Sequence, residues 1–159
     1  MPNATSTSVP RLAVGLLGEA AEDAPVVLVH GARQSGKSTL VRAYGEPLGY
    51  RALTFDDDGV LRAAQADPSG FVAELPERVI LDEVQRVPEL FLALKLAVDR
   101  DRRPGRFLLT GSTNILLLPK LADSLAGRMA LVRLHPLAQC EMQRTSTSFL
   151  DQLRAGKFP

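Results

Sequence analysis

Eight consecutive residues, Gly31-Ala32-Arg33-Gln34-Ser35-Gly36-Lys37-Ser38, restrict the folds open to this chain more than any other feature. They follow an apolar, β-branched run at residues 25–30 and lead into Thr39, Leu40 and Val41, which open a helical pattern. Strand, glycine-bearing loop and helix in that order make a cradle for an anion. The two glycines permit dihedrals and close approaches that a Cβ would block, so successive backbone N–H groups can converge on phosphate oxygens. The helix that follows points its positive end at the same place. Lys37 is then placed to reach the β and γ phosphates of a nucleoside triphosphate, and the Ser38 hydroxyl to hold Mg²⁺. The expected nucleotide set is Gly31, Ala32, Arg33, Gln34, Ser35, Gly36, Lys37, Ser38 and Thr39, with a nucleoside triphosphate and Mg²⁺ as ligands. An ordinary Gly/Ser-rich surface turn would match the pattern too, but would not require a strand before it and a helix after it.

The chain has 159 residues, enough for one domain whose sheet carries helices on both faces. With 45% hydrophobic and 23% charged residues, the composition is that of a globular protein and argues against a disordered one. A single cysteine, Cys140, excludes an internal disulfide and a cysteine-rich zinc site, and reads as a small buried hydrophobe. Formal net charge is +1, so the molecule as a whole offers no electrostatic attraction to nucleic acid. The mixed cluster Arg100, Asp101, Arg102 and Arg103 before Pro104-Gly105 reads as a solvated turn. Residues 1–8 form a polar tail. The apolar stretch at residues 9–17 is interrupted by Arg11 and Gly15 and lacks a basic leader, unlike a signal peptide. No segment approaches the length of a membrane span, so a cytoplasmic protein with no membrane partner is expected.

Periodicity supplies the rest of the layout. Leu12, Leu16, Leu17 and Ala20 recur at helical spacing, and strands are expected at residues 26–30, 51–55, 78–81, 106–110 and 129–134. Between them come helical stretches at about residues 60–66 and 69–75, and one opened by Pro88 in which Leu90, Phe91, Leu94 and Val98 share a face. Gly111-Ser112-Thr113-Asn114 is expected as a polar loop. Strands alternating with helices predict an α/β fold, a doubly wound parallel five-stranded sheet with right-handed crossovers. Ligands of such sheets bind beyond the carboxyl ends of the strands.

Those ends collect the polar residues. Asp82, at the tip of an apolar strand, can hold Mg²⁺ opposite Ser38, and Glu83 beside it can polarise an attacking water. Two adjacent carboxylates need a nearby cation, which Mg²⁺ and Lys37 provide. Ser112 or Asn114 could sense the γ-phosphate, although any strand-end turn has a similar composition. Arg128, just ahead of the fifth strand, could reach a phosphate in its own chain or in a neighbouring subunit, or be a plain surface arginine. His30 and His135 read as structural histidines, and Asp56, Asp57 and Asp58 as a capping and solvated run.

With these residues in view, the chain resembles a family of prokaryotic AAA-type ATP-binding proteins that join an N-terminal ATPase core to a C-terminal domain often described as nuclease-like. The resemblance is carried by Val9-Pro10-Arg11, residues 31–40, the run Val79-Ile80-Leu81-Asp82-Glu83-Val84-Gln85-Arg86-Val87-Pro88-Glu89-Leu90, residues 104–112 and Ser124-Leu125-Ala126-Gly127-Arg128. It implies a P-loop NTPase of the AAA-like (ASCE) type in which the Ser112 strand lies between the phosphate-loop strand and the Asp82 strand. It also implies that Glu83 is the hydrolytic base and makes Arg128 a better arginine-finger candidate than its local sequence does, so Glu83, Lys37 and Arg128 are the expected catalytic set. The expected core is residues 9–142, followed by a short tail at 143–159 with no counterpart of the family's C-terminal domain. The expected activity is Mg²⁺-dependent ATP hydrolysis coupled to movement of an attached domain, a partner protein or another copy of the chain. The alternative is a module that holds ATP or ADP without hydrolysing it. A small-molecule kinase ranks last, because no arginine-bearing lid is evident.

Overall fold

The computed structural model describes residues 12–112, 115 and 125–136. The expected tails, Val9-Pro10-Arg11, Asn114 and Cys140 lie outside the described residues. Helix α1 (Ala13–Asp23) precedes β1 (Val26–Gly31), the phosphate-loop segment and α2 (Lys37–Gly45). A 3-10 turn at Glu46–Leu48 leads to β2 (Arg51–Thr54), α3 (Asp58–Ala66), α4 (Pro68–Ala73) and β3 (Val79–Asp82). Then come a second 3-10 turn (Val84–Arg86), α5 (Leu90–Arg100), β4 (Phe107–Ser112) and β5 (Met129–Leu134).

The five described strands form one parallel sheet in the order β2-β3-β4-β1-β5. The β4 strand, which carries Ser112, separates β1 from β3, as the family resemblance implied. Strand β1 is internal and every one of its residues is buried, which explains why residues 26–29 are apolar without alternation. Alternate residues of each strand feed different layers. Val26, Leu28, Leu81, Phe107 and Leu109 pack with Phe91, Leu94 and Val98 of α5 on one face. Val27, Val29, Ile80 and Leu108 pack with Leu17 of α1 and Leu40 and Val41 of α2 on the other. The period-two side-chain rule of a strand thus produces two cores from one sheet.

Local chemistry sets the helix starts. Asp57 caps α3 by accepting from Gly59 N (2.7 Å) and Val60 N (3.1 Å), so one member of the acidic run is a cap, as its composition suggested. Asp67 caps α4 from Gly70 N at 2.9 Å, with Pro68 at the first helical position, where its missing N–H costs nothing. Two expectations need correction. Gly111 and Ser112 belong to β4 rather than to a loop, paired with His30 and Gly31 of β1, because the central strands continue to the edge of the loop. Helix α5 begins at Leu90, after a 3-10 turn that is too short to leave a periodic signal. No helix among the described residues is long and apolar enough to cross a membrane.

Leu28 is fully buried in the internal strand β1, whereas Leu131 on β5 is 51% exposed. Leu28→Ala is expected to lower unfolding free energy by about 2–5 kcal/mol, and Leu131→Ala by about 0.5 kcal/mol or less, as read from urea denaturation.

Candidate functional site

Strand β1 ends in the middle of the sheet, and the chain must turn sharply there to enter α2. Gln34 (φ 60°) and Gly36 (φ 87°) adopt left-handed conformations in that turn, the second of which suits glycine above all. Lys37 opens α2 and is buried to 5% exposure, with its Nζ donating to Ala32 O at 2.8 Å. An ammonium has three donors and a carbonyl takes one, so the charge stays available to an anion inside the loop.

The next residue makes the central contact. Ser38 Oγ donates to Asp82 Oδ1 at 2.7 Å, joining the first turn of α2 to the tip of β3. The Thr110 hydroxyl of β4, wholly buried, donates to the same carboxylate oxygen. Thr110 Oγ1 also accepts from the backbone N–H of Glu83 at 3.1 Å. Asp82 is 7% exposed, and these partners of its carboxylate are neutral hydroxyls. A buried carboxylate flanked by hydroxyls is a hard oxygen donor set of the kind Mg²⁺ takes, with phosphate and water supplying its other ligands. Among the described residues no group of three or more His, Cys, Asp or Glu could hold a metal ion.

Glu83 follows with φ 61° and ψ 44°, a left-handed conformation that costs a non-glycine residue on the order of 1–3 kcal/mol. The Thr110 hydroxyl holds its N–H, and the Gln85 amide donates from Nε2 to its Oε2. The fold thus spends backbone strain at the point where β3 hands over to the 3-10 turn, and the side chain it displays there is a carboxylate.

Lys37, Glu83 and Gln85 border a cleft of about 730 Å³. The loop contributes Arg33, Gln34 and Lys37, and the strand ends contribute Asp56, Glu83, Gln85, Arg86 and Ser112. Sequence reasoning did not single out Gln85 and Arg86 as site residues, although both lie in the run quoted for the family resemblance, and it gave Asp56 no role in the site. Arg86 Nη1 bridges the end of β2, donating to Phe55 O (2.6 Å) and Asp56 Oδ1 (2.9 Å), which holds a cation on the rim of the cleft.

Other expected residues lie elsewhere. Arg128 precedes β5 at the end of the strands opposite to the loop, since Met129 pairs with Val26 and the loop follows Gly31. Its guanidinium grips Asp99 in a forked pair, Nε to Oδ1 at 2.6 Å and Nη2 to Oδ2 at 3.1 Å. The hydrogen bond from Arg128 holds the Asp99 carboxyl below the usual carboxylate range. The structure therefore does not bring Arg128 to the cleft of its own chain. His30 is buried on β1, and its imidazole is pushed below its ordinary pKa by burial first, then by Arg133 and His135. Asn114 lies outside the described residues.

A parallel sheet with β4 inserted between β1 and β3, and a glycine loop feeding a helix beside an acidic strand tip, define the P-loop NTPase class. Residues 23–143 match the AAA_14 family, described as an AAA domain, and the chain belongs to that family. It is 41% identical over 150 residues to the uncharacterised protein Rv2008c of Mycobacterium tuberculosis, an alignment covering 94% of this chain and 33% of that one. The chain thus spans about a third of the length of the curated relatives it matches. Its fold is similar to the Walker-type ATPase PABY2304 of Pyrococcus abyssi, with TM-score 0.59 and 19% identity over 96% of this chain and 60% of the other. It is also similar to AMPPCP-bound DnaA from Aquifex aeolicus, with TM-score 0.51 and 19% identity over 93% and 51%.

Thr110 is the buried link in this site. Thr110→Val keeps its shape but removes both hydrogen bonds, so unfolding free energy should fall by about 1–3 kcal/mol while Thr110→Ser retains most of it, as measured by thermal and chemical denaturation.

Proposed function

We propose that this domain binds ATP with Mg²⁺ and hydrolyses the γ-phosphate. The observation that carries the reading is the 2.7 Å contact between Ser38 of the loop helix and Asp82 of β3, with Lys37 and Glu83, their chain neighbours, lining the cleft. Ser38 and Asp82 would hold the cation, which when bound offsets charge on the phosphate oxygens. The backbone of residues 31–39 and Lys37 would hold the phosphates, and Ser112 lies where it could register the terminal one. Glu83 would take the proton of the attacking water.

Coupling to other parts of the protein belongs to the same proposal. The matched relatives are about three times as long, so an attached domain is the natural receiver of a nucleotide-driven movement. Arg128, at the end of the strands remote from the loop, could act as a finger only on the site of another copy, which would make the working unit a homo-oligomer. A net charge of +1 gives no support to a nucleic-acid partner.

Phosphate release and ATP affinity test this reading together. Lys37→Ala should weaken ATP binding by about tenfold or more through loss of charge-assisted hydrogen bonds. Glu83→Gln should keep the affinity and lose turnover by about 10² or more. Wild-type protein that binds ATP yet releases no phosphate above the buffer rate would instead be a non-hydrolysing nucleotide module.

A further inference from the structure

Gln85 is the cleft residue whose chemistry the ATPase reading leaves unused. Its amide has a donor end and an acceptor end, and its neighbours decide which points where. The Glu83 carboxylate only accepts, so the nitrogen must face it, and Nε2 does donate to Glu83 Oε2. That leaves the carbonyl oxygen on the other side. Gln85 Oε1 is buried and has no hydrogen-bond partner among the described residues. A buried acceptor without a donor costs about 1–3 kcal/mol, so its retention at a cleft calls for an explanation.

The adjoining strand leaves room for that oxygen. A Cβ built on Gly111 would lie 3.2 Å from Gln85 Oε1 and 2.5 Å from Ile115 Cδ1, so glycine at this point of β4 lets the amide pack against the strand. Gly111 stands between Thr110, which holds Asp82 and the Glu83 N–H, and Ser112, which lines the cleft. Gln85 therefore touches the expected base with its nitrogen, while its oxygen is packed against β4 out of reach of water.

We propose that Gln85 positions Glu83 for the attacking water, an inference that rests on the ATPase reading. As the water oxygen bonds to the γ-phosphorus, the bond from phosphorus to the β–γ bridging oxygen breaks and its electron pair leaves on ADP. One proton of the water passes to Glu83, and the other stays on the new phosphate oxygen. The amide nitrogen donates to Glu83 Oε2 and so fixes the direction of the carboxylate that takes the proton. The amide oxygen is packed against β4 and takes no part in the step. Removing the amide should therefore raise the barrier rather than loosen nucleotide binding.

The test compares wild type, Gln85→Met, which keeps length but neither donates nor accepts an N–H or O–H bond, and Gly111→Ala, whose Cβ would crowd Ile115 Cδ1 first and the amide oxygen second. Three readouts are needed: kcat and KM for ATP, the dissociation constant for ATPγS with Mg²⁺, and that for ADP with Mg²⁺ and aluminium fluoride, which mimics the transition state. For Gln85→Met, kcat and aluminium-fluoride affinity should both fall by about tenfold or more, with KM and ATPγS affinity within about twofold of wild type. Gly111→Ala should change the same quantities in the same direction to a smaller extent. Equal aluminium-fluoride affinity in wild type and Gln85→Met would overturn the inference, as would equal losses of ATPγS and aluminium-fluoride affinity. A wild type without turnover would defeat the ATPase reading instead, while the aluminium-fluoride comparison would still decide the role of Gln85.

Discussion

Asp82 Oδ1 accepts hydrogen bonds from Ser38 and Thr110, and through them one buried carboxylate joins the loop helix α2, strand β3 and strand β4. The junction could not form in another strand order. Asp82 meets Thr110 because β4 lies beside β3, and it meets Ser38 because β1 lies on the other side of β4 and delivers the loop there. A buried charge among neutral partners is costly to keep, and here its partners are two hydroxyls that a divalent cation and phosphate can supplement. The same Thr110 oxygen accepts from the Glu83 N–H, so the strained turn that displays Glu83 is anchored to the group that holds Asp82.

The two cores make this rigidity affordable. Strand β1 is buried along its whole length between layers fed by alternate residues, and the phosphate loop hangs from its last residue. Positions that must hold a ligand to within fractions of an ångström are therefore set on the best-packed strand of the sheet. The edge strand β2 is more exposed, and what it adds to the cleft is secured by Arg86, which clamps Phe55 O and Asp56.

Much of this was readable beforehand, and the unread parts share a cause. Residues 31–38 declare themselves through a fixed spacing with a strand before and a helix after, and Asp82-Glu83 through an apolar run that stops at two acids. Both are local patterns. The position of β4 between β1 and β3 is a non-local pairing that periodicity does not encode, and the family resemblance alone supplied it. Gln85 and Arg86 escaped notice because a three-residue 3-10 turn has no hydrophobic period and because their partners, Gly111, Phe55 and Asp56, are distant in sequence. Arg128 needed the same non-local information. Its sequence position beside a strand is plain, but only the register of β5 against β1 shows that it begins the strand at the end remote from the loop, paired with Asp99.

The claim on which the account rests is that Ser38 and Asp82 share one Mg²⁺ that ATP brings with it. A double-mutant cycle with Ser38→Ala and Asp82→Asn, measured as the ATP dissociation constant with Mg²⁺ and again with EDTA, tests it directly. The account predicts that the two substitutions are non-additive by more than about 0.5 kcal/mol with Mg²⁺ and that this coupling disappears with EDTA. Additive losses in Mg²⁺, or a coupling of the same size in EDTA, would contradict it.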